Sequence, residues 1–65
     1  MVTINGKAVS GHVGSSIMDY LTESGYDPQK VAVECDGGVI PRKDYADKVI
    51  RDGEIIEIVS FVGGG

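Results

Sequence analysis

Three short stretches of this chain alternate between apolar and polar residues, and one places apolar residues at helical spacing. Val2-Thr3-Ile4 alternates and runs into Asn5-Gly6. That dipeptide is the strongest short hairpin signal, because a type I′ turn needs positive φ at both central residues. A two-residue turn there sets Val2 against Val9 and Ile4 against Lys7. The return strand is predicted from about Lys7 to Val13, which puts Val2, Ile4, Val9 and Val13 on one core face.

Gly14 breaks that strand, and Ser15-Ser16 offers a helix N-cap, with Asp19 adding a carboxylate to the first turn where the helix dipole favours it. Ile17, Tyr20 and Leu21 form one helical stripe. Gly25 supplies a C-terminal stop and Pro28 prevents resumption, so the helix is predicted from Ser16 to Ser24.

Val31 to Asp36 alternates again, with Val31, Val33 and Cys35 on one face and Glu34 and Asp36 on the other. Asp36-Gly37-Gly38 turns the chain, and Val39-Ile40 is a short extended piece closed by Pro41, which keeps the residue before it out of helical space. Arg42 to Asp47 is predicted as a helical turn carrying Tyr45 and Ala46, and Lys48 to Ile50 as a short edge strand. Asp52-Gly53 is a second hairpin-type turn, followed by a last strand from Glu54 to Phe61. In that strand Ile56 and Ile58 share one parity, while Ile55, Glu57, Val59 and Phe61 share the other.

One helix cannot cover both faces of a sheet in so short a chain. The pattern therefore predicts a two-layer α+β arrangement, a four- to five-stranded mixed sheet curled over one helix, with the last strand beside the first. Residues 1–62 are expected to form this single domain, and residues 63–65 a flexible glycine tail.

Composition narrows the function classes. The chain has 65 residues, 42% hydrophobic and 25% charged, as in an ordinary folded domain. Its net charge is −4, with ten acidic and six basic residues, and it has no basic cluster beyond Arg42-Lys43. Nucleic-acid binding is disfavoured, because it rests on neutralising phosphates. An acidic surface suits a partner with a basic docking face. The single cysteine, Cys35, fits a reducing compartment. With no leader pattern and no apolar run of spanning length, the expectation is a cytoplasmic protein with no membrane partner.

The sequence ends Phe61-Val62-Gly63-Gly64-Gly65. Glycine loses more conformational freedom on ordering than any other residue and packs no side chain, so three of them gain a fold nothing. They form a bare arm whose terminal carboxylate, with an ordinary pKa of about 3.5, is an anionic nucleophile at neutral pH. Val62 to Gly65 span at most roughly 14 Å when extended, enough for the terminus to enter a closed pocket while the body docks outside. An idle, unstructured end is the bland alternative.

The residues resemble the ThiS family of sulfur carriers of thiamine (thiazole) biosynthesis, small ubiquitin-like β-grasp proteins. Three segments carry the resemblance: Ile4-Asn5-Gly6-Lys7; Val33-Glu34-Cys35-Asp36-Gly37-Gly38-Val39-Ile40-Pro41-Arg42 with Tyr45; and Asp52 to Val59 through Phe61-Val62-Gly63-Gly64-Gly65. Cys35 and Asp36 depart from residues common in that family, often Asn at the second. The resemblance implies a carrier that is a co-substrate and not a catalyst. An E1-like adenylyltransferase, using ATP and Mg²⁺, converts the Gly65 carboxylate to an acyl-adenylate. A cysteine desulfurase or other sulfur donor then leaves a thiocarboxylate, and thiazole synthase accepts the sulfur. The carrier binds no cofactor of its own and is expected to be monomeric when free. Gly63 and Gly64 thread the partner's slot. If Ile56 and Ile58 face the helix, Glu57, Val59, Phe61 and Val62 present an apolar, acid-rimmed docking surface just before the tail.

Molybdopterin-synthase small subunits share the fold and the Gly-Gly end but usually run longer. A ubiquitin-like protein modifier, or a plain β-grasp interaction module with an idle tail, also fits the pattern. No metal site is expected, since His12 has no second ligand at suitable spacing and by parity points to solvent. Cys35 is expected to be a buried strand residue, with Glu34 and Asp36 opposing thiolate formation. Arg42 is expected as an exposed cation after a turn, and the acidic residues as solvated.

Overall fold

The computed structural model describes residues 1–61, in which β1 (Val2–Ile4), β2 (Lys7–Val9), α1 (Ile17–Glu23), β3 (Val31–Cys35), β4 (Gly38–Ile40) and β5 (Ile55–Ser60) follow in order. The boundary expected at residue 62 lies outside the described residues. The strands form one sheet in the order β2-β1-β5-β3-β4. β5 runs parallel to β1 and antiparallel to β3, so the last strand lies at the centre of the sheet.

The Asn5-Gly6 turn has φ of 51° and 82°, the left-handed values its type demands. It sets the register Val2↔Val9 and Ile4↔Lys7, as the sequence predicts. Asp36 and Gly37 repeat the geometry between β3 and β4, with φ of 51° and 86°. In α1, Ser16 Oγ accepts the Asp19 N–H at 3.0 Å. At the other end Gly25 N–H donates to the Thr22 carbonyl and Tyr26 N–H to the Leu21 carbonyl, a Schellman closure around the positive φ of Gly25.

The parity of β5 holds, with Ile56 and Ile58 buried and Ile55, Glu57 and Val59 exposed. Val2 and Ile4 from β1, and Val31 and Val33 from β3, join them beneath Ile17 and Leu21 of α1. Tyr45 and Ile50, from the connection between β4 and β5, complete the core.

Three predicted elements differ. β2 stops at Val9 instead of reaching Val13, because Gly11 and Gly14 take φ of 87° and 95°, which no strand continues through; Val13 is exposed and not core. Lys48 to Ile50 is not an edge strand. Gly14 N–H bonds the Ile50 carbonyl and Ile50 N–H the Ser15 carbonyl, leaving a single bridge, Ser16↔Val49, against the lead-in to α1. The helical turn predicted over Arg42 to Asp47 is a shorter 3₁₀ turn, Arg42–Asp44, matched by another at Pro28–Lys30. Among the described residues, no helix is long and apolar enough to cross a membrane.

Candidate functional site

β5 delivers the chain to Phe61, the last described residue, from the middle of the sheet. The sequence-predicted docking residues Glu57, Val59 and Phe61 all lie exposed on the face away from α1; Val59 and Phe61 are 56% and 61% accessible. Val62, Gly63, Gly64 and Gly65 lie outside the described residues.

The exposed face extends beyond β5. Ala32 of β3 stands opposite Val59, and Val39 of β4, 70% accessible, pairs with Glu34 of β3. Glu34 stands directly opposite Glu57 in the β3–β5 ladder. Two carboxylates in one cross-strand pair oppose each other's charge, which disfavours the sheet locally and concentrates negative charge among apolar neighbours. The sequence shows Glu34 as a surface acid; only the register reveals its partner.

Beside Phe61 the sheet edge forms a shallow groove of about 210 Å³ between Ala32, Val39, Pro41, Arg42 and Tyr45. Arg42 is exposed after its turn, as the sequence predicts, but its guanidinium is also engaged. Its Nε donates to the Pro28 carbonyl at 2.9 Å and its Nη2 to the Val31 carbonyl at 3.1 Å. Its guanidinium carbon lies 5.9 Å from the centre of the Phe61 ring. Phe61 N–H donates to the Lys30 carbonyl at 3.0 Å. Tyr45, fully buried at the base, sends its hydroxyl to the same Val31 carbonyl at 3.2 Å.

A second polar group lies at the other end of β5. Lys48 Nζ reaches Glu54 Oε1 and Oε2 at 3.0 and 2.7 Å, and Glu54 Oε1 also accepts the Arg51 N–H at 2.8 Å. Glu54 is therefore not a solvated acid. Burial alone raises its pKa, but the hydrogen bonds from Lys48, Arg51 N–H and the Cys35 thiol, with the Lys48 charge, hold the carboxyl below its ordinary value. Cys35 is half-buried, and burial pushes its thiol up; the bond to Glu54 and the nearby Glu54 and Asp36 charges add to this, against a smaller pull from Lys48. That is the environment of an unreactive thiol.

Cys35, Asp36 and Glu54 have donor atoms within 4.8 Å of one another. Two of the three are already engaged, Glu54 by Lys48 and Asp36 by the Ile55 N–H at 2.9 Å. His12 packs edge-on against Tyr20 with ring centres 4.8 Å apart, so it is half-buried where the parity argument put it in solvent.

Residues 2–65 match the family model described as the ThiS family. The chain is 35% identical over 66 residues to the sulfur carrier protein ThiS of Bacillus subtilis, covering the whole of both chains. It is 38% identical over 64 residues to a thiazole synthase of Paramagnetospirillum magneticum, where it spans 98% of itself but only 20% of that protein. A crystal structure of a thiamine biosynthesis protein (ThiS) from Geobacter metallireducens superposes with a TM-score of 0.77 at 30% identity, covering 98% of this chain and 97% of that one.

Proposed function

This chain belongs to the ThiS family, and on that premise we propose that it is a sulfur carrier for the thiazole ring of thiamine, with the Gly65 carboxyl as the carrying group. It acts as a protein co-substrate and not as a catalyst. The observation that supports this most is the central position of β5, whose exposed outer residues Glu57 and Val59 lead straight to Phe61 and so toward the glycines. A docked partner gripping this face holds the strand from which the terminal segment extends.

A carboxylate is a poor acylating agent, since its leaving group is oxide. An E1-like adenylyltransferase supplies the remedy. A Gly65 carboxylate oxygen attacks the α-phosphate of ATP in line with departing pyrophosphate, which partner-bound Mg²⁺ stabilises. The acyl-adenylate then loses AMP either to hydrosulfide, which gives the thiocarboxylate directly, or to a persulfide delivered by a cysteine desulfurase, which gives an acyl disulfide. A thiol then cleaves the S–S bond of that acyl disulfide, forming a disulfide with the donor and releasing the thiocarboxylate. Gly63 and Gly64 fit because a slot closed around bare backbone has no room for a Cβ.

The names of the relatives favour thiamine over the molybdopterin pathway. A segment like this chain lies within proteins named thiazole synthases, which supports a thiazole synthase as acceptor. Deletion of the gene tests the pathway: the strain is expected to need thiamine or its thiazole for growth, and the intact chain to relieve that need. Relief by a chain lacking Gly64 and Gly65 contradicts the proposal.

A further inference from the structure

The geometry points to Arg42 as a positioning residue for the transfer reaction, one that fixes the direction in which the chain leaves β5; this rests on the carrier reading above. The last ladder pair of β5 is Ser60 with Val31. Phe61 lies beyond it, 61% exposed, so core packing does not hold it. Among the described residues, its restraints are a backbone bond to the Lys30 carbonyl and the guanidinium of Arg42 over its ring.

Arg42 governs both restraints. Its guanidinium lies over the ring at 5.9 Å from the centroid, within cation–π range. It also ties the carbonyls of Pro28 and Val31, which bracket Lys30, and so fixes the acceptor that receives the Phe61 N–H. The base of Arg42 is itself anchored. Pro41 enters the 3₁₀ turn with φ of −62°, Tyr45 N–H returns to the Arg42 carbonyl at 3.1 Å, and the buried Tyr45 hydroxyl shares the Val31 carbonyl with Arg42. A planar fork with several donors suits this three-way tie, where an ammonium presents only a point charge.

Direction at Phe61 matters because the glycines after it carry no side chain to steer them. A rotation of about 30° at Phe61 moves a point 14 Å away by roughly 7 Å, half the reach of the last four residues. Fixing that root sets the direction from which the Gly65 carboxylate has to be brought into line with the α-phosphate.

The test compares the full chain with Arg42→Gln and Arg42→Lys by amide hydrogen exchange and by steady-state adenylation with the family's adenylyltransferase. In Arg42→Gln, the Phe61 amide is expected to exchange about tenfold faster while the Ile58 amide keeps its rate. Its kcat for adenylation falls by about three- to tenfold, by more than KM for the carrier rises, because Glu57 and Val59 of the docking face stay in place on β5 while Phe61 is released. Arg42→Lys, which keeps a cation near the ring but loses the fork, falls between. Equal Phe61 exchange in parent and Arg42→Gln overturns the inference, as does a rise shared equally by Ile58, which marks general loosening. A parent chain that is adenylated no faster than Arg42→Gln also overturns it; a parent that is not adenylated at all overturns the carrier reading instead.

Discussion

Asn5 and Asp36 hold the same left-handed backbone conformation, φ 51° in each, on opposite flanks of β5, and each sends a side-chain oxygen to a β5 amide. Asn5 Oδ1 accepts the Ile58 N–H at 2.7 Å, and Asp36 Oδ1 the Ile55 N–H at 2.9 Å. β1 is three residues long, and its registered partners on β5 end at Ile56. Asn5 therefore extends the pairing by one rung, satisfying a part-buried N–H with a side chain instead of a strand. The central strand that leads to the glycines is held by turn residues at its start, through Ile55, and at its middle, through Ile58.

Asn5→Gly and Asn5→Ala separate the two roles of this residue. Glycine keeps the positive φ but leaves the Ile58 N–H without its acceptor, at a cost of about 1–2 kcal/mol. Alanine adds the backbone penalty of a left-handed Cβ-bearing residue, about 1 kcal/mol more. Urea denaturation at neutral pH reads both, and equal midpoints for Asn5→Gly and the parent contradict the role assigned to the side chain.

The Lys48–Glu54 pair makes stability depend on acid pH. The folded carboxyl titrates below its ordinary 4.5, so its contribution is present above that value and is lost as pH falls through the depressed folded value. Glu54→Gln is expected to lower stability at neutral pH and to flatten the loss on acidification below 4.5. An acid limb identical in steepness to the parent's in urea midpoints across that range contradicts the pairing.

Glu34 and Glu57 face each other where neither helps the fold. Glu34→Gln is expected to raise stability by about 0.2–1 kcal/mol, by removing a like-charge cross-strand pair. The same change slows encounter with the activating partner and reduces the salt dependence of that rate, if the acid pair meets a basic surface. Stopped-flow association at two ionic strengths checks it; an unchanged rate with an unchanged salt slope removes these acids from the docking face.

Phe61→Ala deletes an exposed ring. The expected loss of stability is under about 1 kcal/mol, the scale of a surface cation–π contact. Adenylation efficiency is expected to drop about tenfold, as for an interface anchor. A stability loss of several kcal/mol with normal adenylation of the folded fraction reverses that assignment.

Much of this was readable from residue pattern because local chemistry and burial agree. Asn5-Gly6 dictates its turn, the turn dictates the register of Val2 with Val9, and the alternation of Ile56 and Ile58 dictates which face of β5 is buried. Long-range satisfaction of polar groups was not readable. Nothing near Arg42 in sequence announces that it ties Pro28, Val31 and Phe61, and Asp36 reads as a turn residue until β5 is seen beside it. Lys48 to Ile50 misled for the same reason. Its apolar pattern fits a strand, but its backbone partners are the residues leading into α1.

The central claim is that sulfur is carried on the terminal carbonyl of Gly65 and nowhere else on the chain. Tandem mass spectrometry of the protein isolated from cells under non-reducing conditions measures this directly. The account predicts one oxygen replaced by sulfur, localised to Gly65 and retained in Cys35→Ala. An added sulfur atom localised to Cys35 and lost in that variant contradicts it.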